Sequence, residues 1–390
     1  MVNETALLLG TARSCIRELF EYGQSKLAAG ETVYDFSLGN PSIPAPRQVQ
    51  EALLDLLQHT PSLQLHGYTT AVGALPTRQA IGDDLNSRYG AQVRAEDLFI
   101  TCGAAPGLCA VFKALSGQKR QVIALCPYFP EYKPFAENAG LEFVPVEAKL
   151  PDFGLNLLGV EAAINENTVA VIVNSPNNPS GVIYGAEELQ ALAQILTQKA
   201  QIYGHPIYIV SDEPYRELAY EGAEVPFLPA IYGDTIVCYS YSKSLSLPGE
   251  RIGYIYVNQA ASHSKALYGA IAGASRAMGH VCAPSLMQAL IARCAQLGPD
   301  LQAYDKNRRA LYEGLLALGY EMPKPMGAFY LFVKAPNGDG VTFSEKAKEM
   351  NLLVVPGEGF GCPGYFRLCY CVNYDTILGS LPLFQKLIQG

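Results

Sequence analysis

An α/β fold is predicted for this 390-residue chain by three observations. Short apolar runs recur between stretches of helical spacing, polar clusters each follow one of those runs, and the texture changes after about residue 285. Residues near 47–58 and 74–89 carry helix-like apolar spacing; 97–101 then reads as a short buried strand running into Gly103, and a second helix-like stretch covers about 106–116. Further strands are expected at 121–125, 169–173, 207–210 and 236–239, separated by helical or loop segments such as 186–200. Alternation of this kind implies a mainly parallel sheet covered on both faces. A long helical pattern through 286–318 and short strands at 328–333 and 366–370 then suggest a smaller α+β lobe.

Apolar residues make up 49% of the chain and charged residues 16%, a globular composition with a sizeable core. The formal charge of −8 is spread without any basic block, so nucleic acid and anionic membrane surfaces are poor partners and small molecules better ones. The first residues lack a cationic n-region, Ala6-Leu7-Leu8-Leu9 is too short for a signal segment, and no run is long enough to cross a bilayer, so a cytoplasmic protein is expected. Ten cysteines are scattered, many in apolar runs, and read as reduced core residues. Cys369-Tyr370-Cys371 has no Cys-x-x-Cys or histidine companions, so no metal site is expected.

The chemistry-bearing motifs sit just after strands, where ligands of α/β sheets bind. In Ser240-Tyr241-Ser242-Lys243-Ser244, followed by Pro248-Gly249-Glu250-Arg251, a lysine lies among small hydroxyl residues with an arginine downstream. That is what a Schiff-base site for a phosphorylated aldehyde needs: Lys243 supplies the amine, while Ser240 and Arg251 can bond the phosphate. Thr101-Cys102-Gly103-Ala104-Ala105 joins a strand to a helix, so its backbone N–H groups can also receive a phosphate. Arg367 sits on an otherwise apolar strand, where a charge is costly unless paired, and its planar fork suits a carboxylate.

Together with Asn174-Ser175-Pro176-Asn177-Asn178-Pro179-Ser180-Gly181 and Ser211-Asp212-Glu213-Pro214-Tyr215, these motifs resemble the fold-type I pyridoxal-phosphate aminotransferases of class I/II, over roughly residues 14 to 371. The resemblance implies pyridoxal 5′-phosphate as cofactor, held by Gly103, Ala104, Ala105, Ser240, Lys243 and Arg251. It gives Asp212 the pyridinium nitrogen, Asn178 and Tyr215 the ring oxygen, and Phe129 of Pro127-Tyr128-Phe129-Pro130-Glu131-Tyr132 a stack on the ring. Gly39, in Asp35-Phe36-Ser37-Leu38-Gly39-Asn40-Pro41, approaches the substrate carboxylate, with Asn178 and Arg367 also on the substrate side. Tyr68, in His66-Gly67-Tyr68, reaches the phosphate of a neighbouring subunit, which implies a homodimer with shared active sites. Lys243, Asp212 and Tyr215 form the catalytic set.

The implied architecture is a large domain, 46–285, with a mainly parallel seven-stranded sheet between helices, a small C-terminal domain, 286–390, and an N-terminal arm with part of the small domain, 1–45. The implied reaction is ping-pong transfer of an amino group from an L-amino acid to a 2-oxo acid such as 2-oxoglutarate. In aspartate-selective relatives a lysine in the turn after Gly103 pairs with the distal carboxylate; Ala105 stands there in this chain, leaving neutral or aromatic donors open beside aspartate-like ones. The same scaffold supports β-elimination lyases, and a non-catalytic sensor is a third class. Gly359-Phe360-Gly361-Cys362-Pro363-Gly364 formally matches a dinucleotide motif, but strand-like residues follow it and Pro363 removes a donor, so it reads as a loop between strands.

Overall fold

The computed structural model describes residues 2–11 and 15–389. Its strands are, in chain order, β1 (Tyr34–Asp35), β2 (Leu98–Thr101), β3 (Gln121–Leu125), β4 (Glu142–Val146), β5 (Thr168–Asn174) and β6 (Tyr208–Asp212), then β7 (Thr235–Ser240), β8 (Gly253–Val257), β9 (Tyr330–Lys334), β10 (Leu352–Leu353), β11 (Val355–Pro356) and β12 (Tyr365–Cys369). Seven of them form the principal sheet in the order β2-β8-β7-β6-β5-β3-β4. All its pairings are parallel except the two that β8 makes, so β8 alone runs against the rest.

Both faces of this sheet are covered. Val122 and Ala124 pack with helices Ala104–Leu115, Tyr132–Ala139 and Ser264–Ala277. Their neighbours Ile123 and Leu125 point the other way, toward helices Leu157–Ala163 and Ala186–Tyr203. The strands are therefore apolar throughout, which made most of them legible as short continuous runs.

Two strands escape that reading. β4 carries Pro145, tolerable there because β4 is an edge strand. β8 begins just after the lysine-to-arginine motif, which ends at Arg251. The helical pattern at 286–318 is in fact two helices, Ser285–Cys294 and Leu301–Ala317. Pro299 cannot continue a helix, and the Asp300 side chain caps the second one by accepting from Ala303 N–H at 3.0 Å. Met287, Leu290 and Ile291 of the first helix are buried with Ile81, Leu85 and Ile100 on the principal sheet. The second packs on helix Tyr374–Gln389, in another core with Phe36, Phe329 and Phe366.

That second core surrounds the sheet β11-β12-β9, and the glycine-rich stretch 359–364 is indeed the connection between β11 and β12. The N-terminal segment joins it: β1 pairs in parallel with β10, and Leu19 of helix Cys15–Ala28 packs beside Phe332, Leu353 and Phe360. Among the described residues no helix is long and apolar enough to cross a membrane. The site position follows from register. Ser240 at the end of β7 and Thr101 at the end of β2 both pair with Gly253 at the start of β8, while Asn174 at the end of β5 pairs with Asp212 at the end of β6.

Candidate active site

Lys243 lies in a single helical turn, Tyr241–Ser244, that leaves directly from β7. The Ser240 side chain caps that turn, accepting from Ser242 N–H at 3.2 Å, and the two hydroxyls lie 2.7 Å apart. Behind it the Tyr239 hydroxyl donates to Glu217 Oε2 at 2.8 Å and lies 2.8 Å from Ser244 Oγ. Lys243 Nζ donates to the Gly39 carbonyl at 2.5 Å and stands 5.5 Å from the centre of the Phe329 ring. Burial pushes its ammonium below the usual lysine range, toward the neutral amine that a nucleophile or base requires.

Asp212 is buried at the end of β6. Tyr132 donates to its Oδ2 at 2.5 Å, and Oδ1 has no hydrogen-bond partner. Burial pushes the carboxyl up to about 7, against the hydrogen bond from Tyr132, which lowers it. An ionised carboxylate here lacks a counter-charge, and a protonated ring nitrogen would supply one through Oδ1. Asn174 fixes the neighbouring loop: its Nδ2 donates to Asp212 O at 2.8 Å and its Oδ1 accepts from Asn178 N–H at 2.7 Å.

Across the sheet, Gly103 takes φ of 102°, and a Cβ there would come within 3.0 Å of Arg251 Nη2. Only glycine meets both demands without cost. Arg251 is itself left-handed, with φ of 51°, and its Nη1 donates to Pro248 O at 2.9 Å. Strained backbone of this kind costs about 1–3 kcal/mol and persists where the surroundings over-determine it. The first N–H groups of helix Ala104–Leu115 have no intrahelical partners, so that helix end, Ser240 and Arg251 make a cradle suited to a phosphate.

Arg367, on β12, is 2% exposed. Its Nη1 donates to Asn178 Oδ1 at 3.1 Å and its Nη2 to Ser37 O, but Nε is unmet. The guanidinium lies over Tyr330 and Phe360, at 4.8 and 5.0 Å from their ring centres, and among the described residues no carboxylate pairs with it. A buried, unpaired cation of this shape is matched to an incoming carboxylate. The Tyr215 hydroxyl lies 2.7 Å from that of Tyr330, and burial raises the Tyr215 phenol.

Every residue expected in the site except Gly103 and Tyr68 lines one cavity of about 480 Å³. Gly103 stands just behind it, against Arg251, whereas Tyr68 is 93% exposed. Phe129 lines the wall, edge-on to Tyr132 with ring centres 5.6 Å apart. Sequence reasoning gave no role to Tyr330, Asn174, Arg17 or Glu131, which line the same cavity, nor to Tyr132 behind Asp212. Tyr132 and Asn174 stood inside quoted motifs, where a polar side chain beside an expected ligand was the available signal.

Residues 31–377 match the family model for aminotransferases of class I and II. A probable aspartate/prephenate aminotransferase from Thermus aquaticus is 32% identical over 372 residues, covering 92% of either chain. An aspartate aminotransferase from Thermotoga maritima is 28% identical, covering 96% of each. Among solved structures, an aminotransferase from Eubacterium rectale superposes with a TM-score of 0.97 at 48% identity, covering 100% of this chain and 98% of that one. The aspartate aminotransferase of Thermus thermophilus with maleate gives 0.87 at 25% identity, covering 99% and 100%. The fold, the buried lysine at the sheet's carboxyl edge and these likenesses agree: the chain belongs to the class I and II aminotransferases, enzymes of the pyridoxal-phosphate-dependent fold type I.

Proposed function

We propose that this aminotransferase moves the amino group of an L-amino acid, aspartate-like in the first instance, to a 2-oxo acid such as 2-oxoglutarate in two half-reactions, with Lys243 as the working amine. One observation carries the reading: Asp212 Oδ1 and Arg367 Nε, both buried and both without a partner, belong to residues that line one cavity with Lys243. Bound pyridoxal phosphate supplies an electron sink conjugated to the substrate Cα. The chain's residues do the rest. Lys243 would be the amine that holds the cofactor, and its Nζ is placed to exchange a proton with the substrate Cα. Asp212 would hold the ring nitrogen, Asn178 and Tyr215 the ring oxygen, and Phe129 the ring face. The cradle of Gly103, Ala104, Ala105, Ser240 and Arg251 takes the phosphate. Arg367, aided by Asn178 and the Gly39 backbone, orients the substrate by its α-carboxylate.

The relatives described above carry aminotransferase names, which favours amino transfer over elimination or ligand sensing. Tyr68, almost wholly exposed, suits a residue that completes the phosphate cradle of a second copy in a homodimer. A cytoplasmic location accords with small, diffusible substrates. The proposed division is a domain of 46–285 and a smaller one of 286–390 with 1–45; helix Ser285–Cys294, which begins at that boundary, packs with the core of the larger part.

The decisive measurement is the half-reaction. Cofactor-loaded protein mixed with L-aspartate is expected to yield pyridoxamine phosphate, separated by chromatography after denaturation. Unaltered pyridoxal phosphate after mixing with every common L-amino acid would exclude amino transfer.

A further inference from the structure

Four charged side chains of the cavity have duties in the reading above: Lys243, Asp212, Arg251 and Arg367. Two more line its wall, Arg17 and Glu131, and among the described residues neither forms a salt bridge. Arg17 lies in the first turn of helix Cys15–Ala28, next to Ile16, which also lines the cavity. One turn on, Leu19 anchors the helix beside Phe360, the ring against which Arg367 rests. Arg17 and Arg367 thus line the same cavity.

Every substrate of this reaction brings an α-carboxylate, and a dicarboxylic amino or oxo acid brings a second carboxylate a few carbons away. With Arg367 on the first, the second needs another cation or it is desolvated unpaired. The turn after Gly103 offers none, being Ala104-Ala105. Among the described cavity residues, the one cation not already engaged is Arg17. Ile16, Leu38 and Phe135 line the same cavity with apolar side chains, fit for a methylene stem. Glu131, in the same cavity, disfavours a carboxylate that is not seated on an arginine.

We infer that Arg17 is a specificity-determining residue, receiving the distal carboxylate of a dicarboxylic donor or acceptor. The assignment rests on the reading in which Arg367 holds the α-carboxylate. It answers the question left by Ala105: the cation comes from the N-terminal helix in place of the turn after Gly103.

Holoenzyme and its Arg17→Gln and Arg17→Lys variants separate the possibilities. For Arg17→Gln, the ratio of kcat/KM for aspartate to that for alanine is expected to fall roughly 10- to 100-fold, the loss of a charge-assisted hydrogen bond. Arg17→Lys recovers part of it. Binding of maleate, an unreactive dicarboxylate, followed by calorimetry, is expected to weaken by a similar factor in Arg17→Gln. Active wild-type enzyme whose ratio is unchanged in Arg17→Gln overturns the inference, and so does an equal loss for both donors, which would make Arg17 structural. Wild-type holoenzyme that converts no amino acid overturns the underlying reading, and this inference with it.

Discussion

Tyr132 donates a 2.5 Å hydrogen bond to one oxygen of Asp212 and leaves the other oxygen without a partner. The two residues are 80 positions apart, and both are buried. One oxygen is thus fixed by protein while the other has no partner, in a residue that lines the cavity, so the carboxylate is oriented before any ligand binds. Tyr132→Phe keeps the ring and its packing against Phe129 but removes the bond that lowers the Asp212 pKa. The acid limb of the single-turnover rate with aspartate is expected to move to higher pH, with the rate at neutral pH about tenfold lower. A pH profile superposable on wild type would remove Tyr132 from this role.

The same carboxyl makes stability depend on pH in the protein stripped of its cofactor. Its folded pKa, about 7, lies above the ordinary 3.8, so folding favours the protonated form. The contribution is fully present below about pH 4 and is lost as pH rises through 7. Asp212→Asn is therefore expected to flatten the fall in unfolding free energy between those limits, measured by urea titration at several pH values. Parallel wild-type and variant curves would count against the buried, raised carboxyl.

Lys243→Ala should lower turnover by roughly 10²- to 10⁴-fold or more, the range for losing a positioned proton carrier. Borohydride reduction of the wild-type holoenzyme followed by peptide mapping should tag residue 243, and the variant should show no tag. A tag on another lysine would reassign the working amine.

Arg367→Lys retains a cation but loses the planar fork that lies over Tyr330 and Phe360. KM is expected to rise about 100-fold for mono- and dicarboxylic donors alike, since both share the α-carboxylate. A selective effect on dicarboxylates would instead place the distal group at this arginine.

Gly39→Ala probes the loop beside Tyr330. A Cβ at Gly39 would overlap the Tyr330 hydroxyl, itself bonded to Tyr215. The clash must displace either the tyrosine pair or the loop whose carbonyl accepts from Lys243. A tenfold or greater loss of kcat/KM is expected, with Tyr330→Phe in the same background restoring part of it. Wild-type kinetics in Gly39→Ala would show that the loop yields freely.

Much of this was legible in the sequence because the sheet is buried on both faces, so its strands stand out as apolar runs and the polar ligands as their endings. Asp212 ends such a run, Asn178 and Lys243 lie within a few residues of one, and Arg251 follows Lys243 in the same motif. Tyr330 did not show itself, since in an aromatic-rich strand nothing local tells which ring faces the cavity; that depends on its pairing with Cys369 across β9 and β12. Arg17 was hidden for a similar reason: one arginine among the charged residues of an amphipathic helix looks solvated until the helix is docked. Tyr132 stands within a legible motif, but its partner Asp212 lies at the end of β6, far along the chain.

The reversed direction of β8 has a consequence for chain economy. A parallel successor to β7 would begin at the far edge of the sheet, and its crossover of a dozen or more residues would lie over a face, remote from any ligand. Because β8 starts where β7 stops, the path from Ser240 to Gly253 never leaves the ligand's side. One short excursion can therefore carry both the amine and the arginine, and a shift in its length would disturb the two together.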